Sequence, residues 1–146
     1  MASQFQDRLK ADINEARRGL QKERTLVLTT LLSELKNEEI KLGHELKDDE
    51  CLGVVSRGIK QRRDAAAQFR AGNREDLVTH EEAQIAILQV YLPPQLGEEE
   101  VRAMVGELVA AGASSVGAVM GQLVPRIKGR FDGKEANRIV REVLGV

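Results

Sequence analysis

From Phe5 to Leu92 the large apolar residues return at intervals of three and four, the spacing that lines one face of an α-helix. Phe5, Leu9, Ile13, Ala16 and Leu20 form a first stripe, with Ser3 and Gln6 placed as a capping box at its start. Leu28, Leu31, Leu32, Leu35 and Ile40 form a second inward face, Glu34, Lys36, Glu38, Glu39 and Lys41 the solvated one, and Gly43 its end. Asp48 or Asp49 opens a third helix whose buried stripe is Cys51, Leu52, Val55, Ile59, Ala66 and Phe69. Thr79, with Glu82 in the reciprocal capping position, opens a fourth through Ile85, Leu88 and Leu92. The predicted fold class is all-α. With aromatics at 3% and no Trp, the core is aliphatic, which favours packed helices over a β-sandwich.

Pro93-Pro94 stops the fourth helix, because neither residue can donate to a helical ladder. We place an N-terminal helical domain of about four helices at residues 1–92, a proline-containing linker at 93–97, and a three-helix domain at 98–146. In the latter, Glu98, Glu99 and Glu100 suit a helix N-terminus, and Val101, Met104, Val105, Leu108 and Val109 supply its core face. Ser114 or Ser115 opens a second helix, bent or ended by Pro125. Asp132 caps the last, with Glu135 as capping-box partner, and Ala136, Ile139, Val140, Val143 and Leu144 fall on one side. Three short helices in so few residues fold only marginally alone, so this domain is expected to lean on the first domain or on a partner.

The net charge of -1 excludes a globally basic nucleic-acid binder but not a local one. From Arg57 to Arg74 the cations Arg57, Lys60, Arg62, Arg63, Arg70 and Arg74 face the single anion Asp64, a basic ridge on a near-neutral chain. Near the C-terminus Arg126, Lys128 and Arg130 line a turn through Gly129, next to a helix N-terminus. Backbone amides, a helix dipole and cations at one corner suit a phosphate. Arg138 and Arg141 extend the positive charge along the last helix.

Other chemistry finds little footing. His80-Glu81-Glu82-Ala83-Gln84 begins like a helical zinc motif, but Gln84 stands where the second histidine must be. No nucleophile elbow surrounds a serine, and no GxxxxGK[ST] string cradles ATP. No catalytic constellation, metal site or cofactor is predicted. The single Cys51 falls in an apolar stripe and reads as core. The start of the sequence has no leader-like pattern, and no stretch has the length to span a bilayer, so the expectation is a cytoplasmic protein without a membrane partner.

Several strings together resemble the GatB/YqeY family. They are Leu31-Leu32-Ser33-Glu34-Leu35-Lys36 with Glu39-Ile40, Lys60-Gln61-Arg62, Arg74-Glu75-Asp76-Leu77, Tyr91-Leu92-Pro93-Pro94-Gln95-Leu96, Gly117-Ala118-Val119-Met120-Gly121, and Lys128-Gly129-Arg130-Phe131-Asp132-Gly133. The resemblance implies a helical domain followed by one similar to the tail of the B subunit of glutamine-dependent aminoacyl-tRNA amidotransferase. That tail recognises tRNA, while the amide-forming chemistry belongs to a separate catalytic domain. Carried over, it implies that Gly117, Met120, Gly121, Lys128, Gly129, Arg130 and Asp132 mark an RNA-facing element or the packing that shapes it, with Tyr91 and Pro93 as motif residues. Ala118 stands where the family often has a lysine. Phe131, where a small residue is usual, is either a stacking platform for a base or a core filler, the second preferred.

The leading functional expectation is an accessory protein that binds tRNA, or a tRNA-processing enzyme or amidotransferase subunit, through the ridge and the C-terminal turn. Two alternatives stand beside it. One is a component of a carbon-nitrogen ligase with glutamine as amido-N-donor, acting with a separate catalytic subunit. The other is a protein-interaction adaptor without RNA, whose ridge meets an acidic partner.

Overall fold

The computed structural model describes residues 3–146. Among the described residues there are seven helices and no strand: α1 (Gln4–Arg18), α2 (Lys22–Leu42), α3 (Asp48–Ala71), α4 (Glu75–Gln89), α5 (Glu98–Ala110), α6 (Val116–Ile127) and α7 (Gly133–Leu144). The all-α expectation holds. The chain divides into two compact units, Met1–Leu92 and Pro93–Val146. No helix among the described residues is long and apolar enough to cross a membrane.

In the first unit, Leu9 and Ile13 of α1, Leu28, Leu31 and Leu35 of α2, Cys51, Val55 and Ile59 of α3, and Ile85 and Leu88 of α4 close one core. Cys51 is fully buried there, and burial pushes its thiol pKa up. Ser3 caps α1 by accepting the Gln6 amide at 3.1 Å, but the Gln6 side chain does not reach back. It donates to Glu39 instead, at 3.1 Å, and Asp48 at the start of α3 accepts the Phe5 amide at 3.2 Å. One orphan amide of α1 is thus satisfied from α3, and the Gln6 side chain adds a bond to α2, which ties three helix ends together.

Several sequence expectations are corrected. Ile40 is 80% exposed, because five residues beyond Leu35 a helix has turned about 140° from the core direction. Leu20 is 83% exposed: α1 stops at Arg18, and a left-handed backbone at Leu20 (φ 55°) carries the side chain outward. Helix α4 begins at Glu75, where Glu75 and Asp76 suit its N-terminus. Thr79 therefore lies inside it, its hydroxyl donating to the Glu75 carbonyl at 3.0 Å.

In the second unit Val101, Val105, Val119, Leu123, Ile139 and Val140 are fully buried between α5, α6 and α7. Ser115 caps α6 by accepting the Ala118 amide, and Asp132 caps α7 by accepting the Lys134 amide, both at 3.1 Å. Pro125 lies within α6, which continues to Ile127. Val143, in the last turn of α7, is 40% exposed rather than core. Phe131 is half-buried against the core, the filler of the two readings.

Candidate nucleic-acid interface

The ridge of α3 does not present six unengaged cations, because α3 packs along α4, and α4 is acidic where α3 is basic. Arg70 meets Glu82 at 2.9 Å and Glu75 at 3.7 Å. Arg74 holds Asp76 at 3.1 Å, which keeps the Asp76 carboxyl below its usual range. Arg62 is half-buried, donates to the Gln84 side-chain amide oxygen and lies 3.9 Å from Glu81. Arg57 reaches across to Glu38 of α2 at 3.2 Å.

The failed zinc motif belongs to this seam. Gln84 is buried, its amide nitrogen 2.9 Å from His80 Nε2, while His80 Nδ1 lies 3.5 Å from Glu23 of α2. Glu23, His80, Gln84 and Arg62 therefore run as one polar chain across α2, α4 and α3. The residue that rules out a metal ligand is the one that braces the helices.

Lys60 and Arg63 remain. Both are exposed, one turn apart on α3, and among the described residues neither has a carboxylate within ion-pairing distance. Arg63 borders an open groove of about 410 Å³ shared with Arg70 and Glu82, its apolar floor including Ala66 and Ile85.

The C-terminal turn is built chiefly to hold its own unit together. Gly129 adopts φ 73°, a left-handed backbone that costs any other L-residue roughly 1–2 kcal/mol. This reversal presents carbonyls to the chain before α5: Gly129 accepts from the Gln95 side chain at 2.8 Å, and Arg130 from the Leu96 amide at 2.9 Å. The Arg130 guanidinium donates to the Pro94 carbonyl at 3.0 Å. Arg130 is thus half-buried and engaged, whereas Lys128 is exposed at the end of α6. Pro93 is held in the same cluster, its carbonyl accepting from Gln95 at 3.0 Å.

Arg138 is the most heavily paired cation of the second unit. It meets Glu142 at 2.6 Å, Glu135 at 2.8 Å and Glu98 at 3.2 Å, so Glu135 serves this pairing instead of a capping box. Arg102 of α5 binds Glu142 at 2.5 Å and Glu98 at 2.9 Å, closing the network between α5 and α7. Arg102 first and Arg138 second hold both carboxyls below their usual range. Arg141 is exposed and donates to Asn137, at 2.8 Å.

Of the motif glycines, Gly117 and Gly121 share the outward face of α6, and a methyl added at either would meet open space. Met120 packs partly against the core. Tyr91 is buried in the first unit. Counting cations along α3 missed Glu75, Asp76, Glu81 and Glu82. The signal was present, since a basic helix followed at once by an acidic one is a pattern for antiparallel pairing.

Residues 6–144 match the family described as Yqey-like protein. A protein of Pyrenophora tritici-repentis is 31% identical over 94% of this chain and 80% of its own length. One from Saccharomyces cerevisiae is 30% identical over 86% of this chain and 69% of its own, and one from Lachancea thermotolerans 36% over 69% and 56%. All three are named Altered inheritance of mitochondria protein 41, mitochondrial. These names overturn the cytoplasmic expectation, which rested on a start without a leader-like pattern; a missing pattern does not encode a location.

Proposed function

The chain belongs to the YqeY-like family, and on that footing we propose that it is an accessory module that binds tRNA and leaves chemistry to a partner enzyme of tRNA-dependent amidation. The observation that supports this is the Lys60–Arg63 pair, two exposed cations without carboxylates, of which Arg63 borders an open groove. Phosphate oxygens spaced along a backbone suit such a pair, with Arg70 able to exchange its exposed carboxylates for a phosphate. The pairing of Arg57, Arg62 and Arg74 reduces the expected contacts from the whole ridge to two or three. Arg141 and Lys128 are the remaining exposed candidates on the second unit.

The test is equilibrium binding of the purified chain to bulk tRNA across a salt series, with duplex DNA as competitor. Binding that survives the competitor supports the module. No binding at low salt removes it and leaves the adaptor reading, which the dense Arg–carboxylate pairing of α3 with α4 favours as second choice: a surface already compensated in charge suits a protein better than a polyanion.

A further inference from the structure

The turn between α1 and α2 departs from local rules in a way that the packing of its own unit does not compensate. Helix α1 ends in a Schellman motif: the Gln21 amide donates to the Ala16 carbonyl at 3.0 Å, and the Leu20 amide to the Arg17 carbonyl at 3.1 Å. The residue that turns left-handed is Leu20, at φ 55°, although Gly19 stands one position earlier. The equivalent turn after α3 uses Asn73, at φ 59°, a residue type that tolerates this conformation. Leucine does not, and its side chain gains no burial in return, being 83% exposed. Lys22 then opens α2 with a charge of the wrong sign for a helix N-terminus, and Gln21 gives no side-chain cap. Local conflicts without a gain to the fold mark positions that serve something else.

Leu20 borders a groove. About 390 Å³ of open space between α1 and α2 is lined by Arg17, Leu20, Lys22, Thr25, Leu26 and Thr29, and Leu26 is itself 63% exposed. The Thr25 and Thr29 hydroxyls donate to the Gln21 and Thr25 carbonyls, both at 2.8 Å, so their protons are already used within α2. The charge around this apolar surface is of one sign. Arg17, Arg18 and Lys22 are exposed and, among the described residues, have no carboxylate within ion-pairing distance. The nearest acids in sequence are engaged elsewhere, Glu15 lying 3.9 Å from Arg24 and Glu23 3.5 Å from His80.

We propose that this groove docks an acidic amphipathic helix of a partner protein. The partner's apolar side chains enter between Leu20 and Leu26, and its carboxylates pair with Arg17 and Lys22 on the rim. A carboxylate beside Lys22 also offsets the unfavourable charge at the start of α2. Along α2 the groove runs from Lys22 to Thr29, about two turns, which a helix of three to four turns covers. A nucleic-acid backbone would meet the cations but leave both leucines in water, and a lipid surface needs no groove.

The test is a titration of the isotope-labelled full chain with synthetic helical peptides of about twelve residues, followed by amide chemical shifts. One pool carries leucine at i, i+3, i+4 and i+7 with glutamate at most other positions, and a second carries lysine in place of glutamate. The expected result is shifts confined to residues 17–29, with the glutamate pool only, and an affinity that weakens as salt rises. Leu26→Glu should weaken that binding at least about tenfold. Arg17→Glu combined with Lys22→Glu should reverse the preference, so that the lysine pool binds instead. Leu20→Gly relieves the left-handed backbone, so this variant should melt at a higher temperature than the parent chain while binding at least about tenfold more weakly. An absence of shifts at the groove, or a preference that the double variant leaves unreversed, overturns the proposal. Binding to phosphatidylcholine vesicles containing phosphatidylglycerol that requires Leu20 and Leu26, with no binding of the glutamate pool, overturns it in favour of a lipid surface.

Discussion

The Tyr91 hydroxyl donates to the Asp12 carboxylate, joining the chain just beyond α4 to the middle of α1 across 79 positions of sequence. The Tyr91 ring is 4% exposed, its centroid 5.5 Å from that of Phe5, and the Arg8 guanidinium lies 4.7 Å above it. Burial first, and the Asp12 bond second, push the phenol pKa well above its ordinary value. The ring and its hydroxyl make separable contributions. Tyr91→Phe keeps the packing and should destabilise the chain by about 1–2 kcal/mol, while Tyr91→Ala should lose about 3–5 kcal/mol. Urea unfolding checks this, and equal losses for the two variants would show that the hydroxyl, not the ring, holds the helices.

A second prediction concerns pH. Glu39 accepts the Leu46 amide at 3.0 Å and the Gln6 side chain at 3.1 Å, and these bonds, Leu46 first, hold its pKa below the ordinary 4.5. A depressed folded pKa means that the stabilisation is present above pH 4.5 and is lost as pH falls through the folded value. Glu39→Gln should lower stability near neutrality by about 0.5–1 kcal/mol, screened because the carboxylate is half-exposed. The gap to the parent chain should close as the buffer is taken below pH 4.5. A gap independent of pH would assign the effect to shape instead of charge.

These bonds also mark what the sequence could and could not convey. Helix spacing and the stop at Pro93-Pro94 are local, so the all-α class was legible from neighbouring residues alone. The partners of Glu39, Gln6 and Asp48 were not. Each sits at a position that local rules assign to a cap or a solvated face, and only the juxtaposition of α1, α2 and α3 ends gives them other work. The ridge on α3 shows the same limit at the candidate site. Its cations were counted correctly along the sequence, but the carboxylates that compensate them come from elsewhere: Glu38 of α2 for Arg57, and acids of α4 for Arg62, Arg70 and Arg74. Lys60 and Arg63 could not be told from Arg70 and Arg74 without that geometry.

The turn at Gly129 and Arg130 gives a third prediction. Removing the Arg130 side chain deletes its bond to the Pro94 carbonyl, so Arg130→Ala should destabilise the second unit by about 1–2 kcal/mol. Hydrogen exchange at the Leu96 amide, which donates to the Arg130 carbonyl at 2.9 Å, should accelerate. Unchanged protection at Leu96 would show that the backbone bond stands without the guanidinium. Gly129→Ala should destabilise by a similar amount through its φ of 73°.

The last prediction separates Lys60 and Arg63 from the paired arginines. If two or three cations contact tRNA phosphates, the logarithm of affinity should fall with the logarithm of salt at a slope of roughly -1.5 to -2.5. Replacing both Lys60 and Arg63 by Ala should flatten that slope by about one to two units with thermal unfolding unchanged, since both side chains are exposed and lack carboxylates. Arg138→Ala is the contrasting case: Glu98, Glu135 and Glu142 engage that guanidinium, so its loss should leave the slope intact while making the second unit's stability less salt-sensitive. A slope that persists in the Lys60/Arg63 variant but falls in the Arg138 variant would move the RNA-facing surface to the second unit. The carboxylates around Arg138 would then have to yield their partner to the phosphate, and affinity should rise when Glu142 is replaced by Gln.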